Sequence, residues 1–389
     1  MSILEPTTDY YQVFADVTGD DLKHWENART FEKDALPRIN DDWEKGNYPL
    51  ELVTRLAELG LLNDGVEVPG QEAMSPLAAG LVSMEISRID GSMGVVLGVQ
   101  AALCMRAISF YGSDEQKQQW LPDLAAAKKL GAFALTEPTH GSDAVSLETT
   151  ATRDGDSWVL NGEKRWIGNG FKGDMTVIWA RMDDGQVGGF IVPQDTEGYS
   201  STNITGKVSL RAIHQAHITL TDCRIPAENK LPCANTFKDT SKILEASRGG
   251  VSWSALGHAI SAYESALAYS KERIQFGKPL AHHQLIQQRL TDMLIDVTNM
   301  ALHCRRIADL DAAGELAGHQ AALTKVHNTR AAKRVVSNAR DMLGGSGILL
   351  ENNVIRHFAD MEALHTFEGT DSVQSLIIGR AVTGKGAFA

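Results

Sequence analysis

The chain has 389 residues, with 37 basic and 49 acidic side chains for a net charge of −12, and 43% of its residues are hydrophobic. That composition excludes a disordered or low-complexity chain. It also lacks the clustered basic surface of a nucleic-acid binder, so no nucleic acid is expected as partner. At roughly 100–200 residues per domain, two or three domains are expected.

Residues 1–131 read as helical. DDLKHWENARTFEKDALPRINDDWEKG begins acidic and ends in Gly, as a helix does. LELVTRLAELGLL and SPLAAGLVSMEISRIDGSMGVVLGVQAALCMRAISFYG are further apolar-periodic runs, the second opened by Ser75-Pro76, since Pro suits the first helical position. From 132 to 236 the texture becomes β-branched and aromatic. In ATRDGDSWVLNGEKRWIG, Asp-Gly and Asn-Gly flank the alternating DSWVL, and both dipeptides are strong hairpin-turn signals. DMTVIWARMDDGQVGGFIVP repeats strand, Asp-Gly turn, strand, and AHITLTDCRIP is another strand. From about 240 three long Ala/Leu-rich helices follow. The fold class expected is α+β: an N-terminal all-α domain (1–131), a middle antiparallel β domain (132–236) and a C-terminal four-helix bundle (237–389).

Cys104, Cys223, Cys233 and Cys304 form no CxxC and have no His at zinc spacing, which favours reduced thiols and no metal. The start has no basic segment followed by an apolar run. The end is not a peroxisomal tripeptide. A cytoplasmic protein is expected. No run of 18 uninterrupted apolar residues occurs, so no membrane span is expected.

Five stretches could carry chemistry. FALTEPTHGSDAVS (133–146) can present hydroxyls and backbone N–H groups to a polar ligand, although by itself it also reads as a turn. EKRWIGNG (163–170) could flank a flat ring through Trp166, or Trp166 could pack in a core. ERIQFGKPLAHHQLIQQ (272–288) offers Arg273 to a phosphate, or is a solvated corner between helices. DMLGGSGI (341–348) ends a helix in glycines, a capping signal that also permits close approach. It has neither the phosphate-loop nor the dinucleotide-fingerprint context. In HTFEGTDS, Glu368 stands at a break in a helical run, where a helix N-terminus would also account for a carboxylate.

LTEPTHGSD, RIQFGKPL, DMLGGSGI and FEGT…GRAVTG, in that order over almost the whole chain, resemble the acyl-CoA dehydrogenase family of flavoproteins. The nearest branches look like glutaryl-CoA dehydrogenase and the plant-type short-chain acyl-CoA oxidase. The resemblance implies FAD held by Phe133, Leu135, Thr136, Gly141, Ser142, Trp166, Ile167, Gly168, Thr370 and Ser372. Arg273, Phe276, Gln284, Asp341, Gly344 and Gly345 would reach the FAD of a neighbouring subunit, so a homodimer is the minimum and a homotetramer is usual. Ser142, Ser241 through Arg248, Gly369 and Arg380 would line the acyl-CoA path, with Glu368 as catalytic base. The implied reaction is α,β-dehydrogenation of an acyl-CoA to a trans-2-enoyl-CoA, with electrons passed to an electron-transfer flavoprotein. The alternatives are an acyl-CoA oxidase passing electrons to O2, or a glutaryl-CoA dehydrogenase. Two positions depart from the pattern. Gly94 stands where the glutaryl branch has a carboxylate-binding Arg, with Ser87 in place of an acidic neighbour, which points to an uncharged short- to medium-chain acyl group. Gly168 replaces a Thr beside flavin N5, which is expected to open space there.

Overall fold

The computed structural model describes residues 2–387. The N-terminal region contains α1 (Gly19–Lys45), α2 (Leu50–Glu58), α3 (Pro76–Ile89), α4 (Gly91–Leu97), α5 (Arg106–Tyr111) and α6 (Asp114–Ala125). The capping chemistry is as the sequence suggests. Gly46 closes α1 in the left-handed conformation, and the Ser75 hydroxyl accepts from Ala78 N–H at 3.0 Å to start α3. The long run after Ser75 is interrupted at Asp90, whose carboxylate caps α4 by accepting from Met93 N–H. Between α4 and α5 the chain keeps its direction but widens into a π-helix, Gly98–Met105, a rare geometry that often marks a functional site. The composite helix Gly91–Tyr111 is long and apolar enough, by length and composition alone, to cross a bilayer. Most of it is buried inside the protein, where it forms part of the main core.

The middle region contains β1 (Gly131–Ala134), β2 (Thr150–Asp154), β3 (Ser157–Gly168), β4 (Met175–Met182), β5 (Val187–Pro193), β6 (Tyr199–Asn203) and β7 (Gln215–Pro226). They form one sheet in the order β1-β4-β2-β3-β7-β6, with β5 on β4. The sheet is mixed, which corrects the antiparallel expectation: β4 runs parallel to both β1 and β2. Local turn signals reveal only hairpins, and parallel pairing needs a crossover that leaves no dipeptide mark. Asp154-Gly155 and Asp184-Gly185 make hairpin turns as expected. Asn161-Gly162 does not: it lies within β3 at a bulge, where only glycine fits, because φ is +145° and a Cβ would meet Thr149 at under 3 Å.

The C-terminal region comprises α7 (Phe237–Glu272), the hairpin β8 (Ile274–Gln275) and β9 (Lys278–Pro279), then α8 (Gln284–Ala312), α9 (Gly318–Met342), α10 (Val354–Thr366) and α11 (Asp371–Thr383). The helices pack into one core with the N-terminal region, and the sheet keeps a second core of its own. Close approach of α3 to α7 requires glycine at 257, where a Cβ would lie 2.1 Å from the Met84 carbonyl. A buried polar junction joins all three regions. Arg356 on α10 pairs with Asp90, both fully buried. Asp360 accepts from Leu210 N–H at 2.6 Å and Trp43 Nε1 at 3.3 Å. This junction anchors α10 immediately before the break at Glu368.

Candidate active site

α10 makes its last helical bond from Phe367 N–H to Ala363 O, and α11 restarts at Thr370, whose hydroxyl caps Val373 N–H. Between them Glu368 and Gly369 take φ +55° and +82°. Only glycine fits at 369, where a Cβ would lie 2.3 Å from Gln374 Nε2. A left-handed Glu is strained and persists only where surrounding contacts impose it. Three successive carbonyls are held by side chains of α9 and α11. The Lys325 ammonium on α9 donates to Phe367 O and, at 2.5 Å, to Gly369 O. Gln374 Nε2 donates to Glu368 O at 2.8 Å. No protein acceptor meets the N–H of Glu368 or Gly369 among the described residues.

The Glu368 side chain faces α7. The Ser247 hydroxyl donates to Oε2 at 2.8 Å, and Oε1 has no hydrogen-bond partner among the described residues. Burial pushes the carboxyl above its ordinary pKa, against the Ser247 hydrogen bond and the attraction of Lys325 and Arg248. Burial also lowers the Lys325 ammonium, to about 8. Arg248 is buried on α7, and its Nε has no partner. Beside it opens a cleft of about 520 Å³ lined by Ser241, Leu244, Glu245, Arg248, Gly318, His319, Ile377, Arg380 and Ala381. Ser241, Arg248 and Arg380 therefore share one cleft.

From Ser247 a stripe of incomplete burial runs inward along α7 through Gly250 and Ser254, and along the facing helix through Val95, Gly98, Val99 and Leu103. A Cβ at Gly250 or Gly98 would meet no atom within 4 Å, so both border open space. The lining carries no charge until Arg106, which is held by Asp64 at 2.9 Å. Gly94 adds no opening, since a Cβ there would collide with Ser87 Oγ, which donates to Ser254 Oγ at 2.9 Å.

The loop after β1 is fixed by a buried pair absent from the sequence expectations. Glu137 accepts from Glu148 N–H (2.6 Å), Thr149 N–H (2.9 Å), Thr149 Oγ1 (2.6 Å) and Lys164 Nζ (2.9 Å). This holds Gly141 and Ser142 exposed on a rigid base, with nothing near the Gly141 Cβ position. Thr136 is half-buried, and its carbonyl accepts from Arg165 N–H at 2.8 Å. Trp166 stands out from β3 at 50% exposure with φ +66°, its ring beside Arg165. Phe133, Leu135 and Ile167 are core residues, so contact with a ligand there is through the main chain, and the Leu135 carbonyl is already taken by Lys164 Nζ. The space expected at Gly168 is filled: a Cβ would lie 2.8 Å from Val99 Cγ2, a side chain delivered by the π-helix.

Arg273, Phe276, Gln284, Asp341, Gly344 and Gly345 gather elsewhere, at the end of the bundle formed by the β8–β9 hairpin and the facing ends of α8 and α9. Arg289 on α8 bridges to Asp341 at the end of α9. Phe276 is 94% exposed with φ +52°, beside exposed Ile274 and Leu285. No hydrogen bond or ion pair among the described residues joins this group to the Trp166 loop or to Glu368. Thr370 and Ser372 lie at the start of α11, Ser372 exposed.

Lys325, Gln374, Val99, and the Glu137–Lys164 pair escaped the sequence reading. One signal pointed to Lys325: it falls on the buried face Ala321, Ala322, Thr324, Asn328, Thr329 and Ala332, where a lone cation is out of place.

The helical, β and helical regions with this site define an acyl-CoA dehydrogenase architecture. The N-terminal, middle and C-terminal domain descriptions of acyl-CoA dehydrogenase match residues 20–128, 132–223 and 237–383. The chain belongs to the acyl-CoA dehydrogenase family and is an enzyme. It is 34% identical over 362 residues to the mitochondrial short-chain specific acyl-CoA dehydrogenase of Rattus norvegicus, covering 91% of this chain and 87% of that protein. The crystal structure of glutaryl-CoA dehydrogenase from Mycobacterium smegmatis is similar with TM-score 0.96 and 39% identity, over 98% of this chain and 99% of that one. A second glutaryl-CoA dehydrogenase structure from Mycobacterium smegmatis, in complex with FADH2, gives TM-score 0.96 and 35% identity, over 99% and 100% of the two chains.

Proposed function

We propose that this protein is an FAD-dependent dehydrogenase that converts an uncharged short- to medium-chain acyl-CoA to the trans-2-enoyl-CoA, with an electron-transfer flavoprotein as electron acceptor. The observation that carries the reading is Glu368: a carboxylate of raised pKa, one oxygen free, with an unpartnered N–H of its own, close enough to feel the charge of Arg248, which lines the cleft.

The residues present fit a flavin. Thr136, Gly141, Ser142 and the outstanding Trp166 ring form a rigid, open platform on one subunit. Arg273, Phe276, Gln284, Gly344 and Gly345 would complete it from a second, which accounts for a strained, exposed Phe on a hairpin tip and makes a dimer the smallest working unit. Thr370 and Ser372, at the start of α11, would add polar contacts. FAD, when bound, supplies the acceptor for the β-hydrogen, leaving as hydride.

The chain does the rest. Arg248 and Arg380 offer positive charge along the cleft to a CoA phosphate or carbonyl. The α-hydrogen of a thioester is weakly acidic. Its removal is favoured when the carbonyl oxygen meets a fixed donor, and the free N–H of Glu368 is such a donor. Glu368 Oε1 takes the α-proton while Ser247 holds Oε2 in place. The raised pKa brings the carboxyl closer to the affinity that proton transfer requires.

The acyl chain would follow the uncharged stripe past Gly250, Val95 and Val99. A substrate carboxylate there would lie buried with no free cation beside it, since Ser87 and Gly94 occupy the place of one and Arg106, further along, is already paired with Asp64. This favours a neutral acyl group over glutaryl. Val99 filling the gap at Gly168 favours dehydrogenase over oxidase, because no open channel is left at that point.

Anaerobic addition of butyryl-, octanoyl-, isobutyryl-, isovaleryl- and glutaryl-CoA to the purified protein, followed by air, tests the reading. Bleaching of the flavin band by a neutral acyl-CoA and slow recovery in air are expected. Bleaching by glutaryl-CoA alone would overturn the uncharged substrate, and rapid recovery with peroxide would overturn the dehydrogenase assignment.

A further inference from the structure

We propose that Lys325 is a positioning residue for the base: its ammonium fixes the backbone on both sides of Glu368, so that the Glu368 N–H and carboxylate meet the substrate together. The inference rests on the reading of Glu368 as base.

Lys325 is a cation on the buried face of α9, only 1% exposed. Among the described residues it has no carboxylate within salt-bridge distance. Its hydrogen-bond acceptors are the carbonyls of Phe367 and Gly369, the two residues flanking Glu368. Gln374, also fully buried, takes the carbonyl between them. A segment leaving a helix would normally let such carbonyls turn to water or cap one another. Here three in a row are drawn toward α9 and α11. Peptide units are planar, so capturing a carbonyl turns the following N–H the opposite way. With Phe367 O held by Lys325, the Glu368 N–H points away from α9 and has no protein acceptor. The left-handed φ at 368 and 369 is the consequence, and the clamp is what sustains it.

A buried ammonium is expensive, and a neutral donor could have satisfied a carbonyl at lower cost. A single Nζ can serve two carbonyls on either side of one residue because it carries three donors around a point, where an amide offers two in a plane. Lys325 is faced by Glu368, by Arg248 from α7 and by Asp371 from α11, with His365 nearby on α10. Glu368 is faced by Ser247, Lys325 and Arg248. The ammonium therefore also limits how far burial raises the pKa of the base, a second effect of its position.

Lys325→Met separates this role from simple packing. Three measurements are made on the FAD-bound protein: the anaerobic bleaching rate with butyryl-CoA, its pH profile, and the Kd of S-butyl-CoA, a thioether with no carbonyl to stabilise. The expected result is bleaching slower by about 100-fold, in the range for loss of one oxyanion donor. The acid limb should move to higher pH, and the thioether Kd should stay within about threefold of the starting protein. Bleaching within about threefold of the unmodified protein, or a thioether Kd that worsens in parallel with the rate, would overturn the proposal. If Lys325→Met does not fold, Gln374→Leu opens the other half of the clamp, and a slowing of about tenfold or more with the thioether Kd unchanged is expected. No slowing in that variant would count against the clamp. Absence of bleaching by any acyl-CoA in the unmodified protein would instead refute Glu368 as a thioester base.

Discussion

Replacing Lys164 by Met should destabilise the protein by about 3–5 kcal/mol, far more than the pair it breaks is worth. The magnitude follows from the two partners. Burial alone would raise Glu137, but Lys164 and the hydrogen bonds from residues 148 and 149 hold its pKa down to about 2 from 4.5. At 1.36 kcal/mol per pKa unit that drop is worth about 3 kcal/mol at neutral pH. Lys164 is fully buried, and desolvation pulls it from 10.5 to about 8, a cost of similar size and opposite sign. The intact pair is therefore near break-even. The Glu137 contribution is fully present above pH 4.5 and is lost as pH falls through about 2. The Lys164 penalty applies below about pH 8 and lifts as pH rises toward 10.5. Lys164→Met leaves a buried carboxylate without its cation, and its site sits under the loop presenting Gly141 and Ser142. Urea unfolding at pH 7, followed by circular dichroism, measures the loss. The Glu137→Gln/Lys164→Met double variant should recover more than half of it. A Lys164→Met variant within about 1 kcal/mol of the starting protein would refute the reasoning, because a buried unpaired carboxylate cannot be that cheap.

Asp360→Asn should raise the melting temperature at pH 8 and have little effect near pH 4. Burial, followed by repulsion from Asp90, lifts the Asp360 pKa from 3.8 to about 7, so folding favours its neutral form and stability declines as pH rises between those values. An equal effect at both pH values would contradict this. Val99→Ala should open the space at Gly168 and speed reoxidation of the substrate-reduced enzyme in air, and an unchanged rate in stopped-flow absorbance would show that Val99 does not shield that point. Gly94→Ala should cost about 1–3 kcal/mol in urea unfolding, since its methyl overlaps Ser87 Oγ in a packed interior.

The helices and most strands were legible because they depend on local signals. Ser75-Pro76, Gly46 and Asp184-Gly185 each act within a few residues. Asn161-Gly162 misled because the same positive-φ preference serves a bulge as well as a turn, and here Thr149, just ahead of β2, packs against Gly162. The parallel partners of β4 come from distant segments, and no dipeptide records them. At the site, Glu368, Arg248 and Arg380 were legible through motifs. Lys325 and Gln374 were not, because what they do depends on which backbone atoms the helices bring to them. The expected gap at Gly168 illustrates the same limit: a missing side chain is visible in the sequence, but Val99, which fills its place, arrives from a π-helical turn about 70 residues earlier.

The central claim, that Glu368 removes the α-proton of an acyl-CoA, is tested most directly by Glu368→Gln mixed anaerobically with butyryl-CoA in a stopped-flow spectrophotometer. The amide keeps the shape of the side chain and the Ser247 contact but cannot accept the proton. The account predicts that the variant retains its flavin band and bleaches slower than the unmodified protein by about 10²–10⁴-fold, the range for loss of a general base. In the unmodified protein the rate should fall as pH drops through a value above the ordinary carboxylate pKa, because the buried carboxyl must be ionised to act. Bleaching of Glu368→Gln at the unmodified rate would contradict the account and return the base to another residue of the cleft.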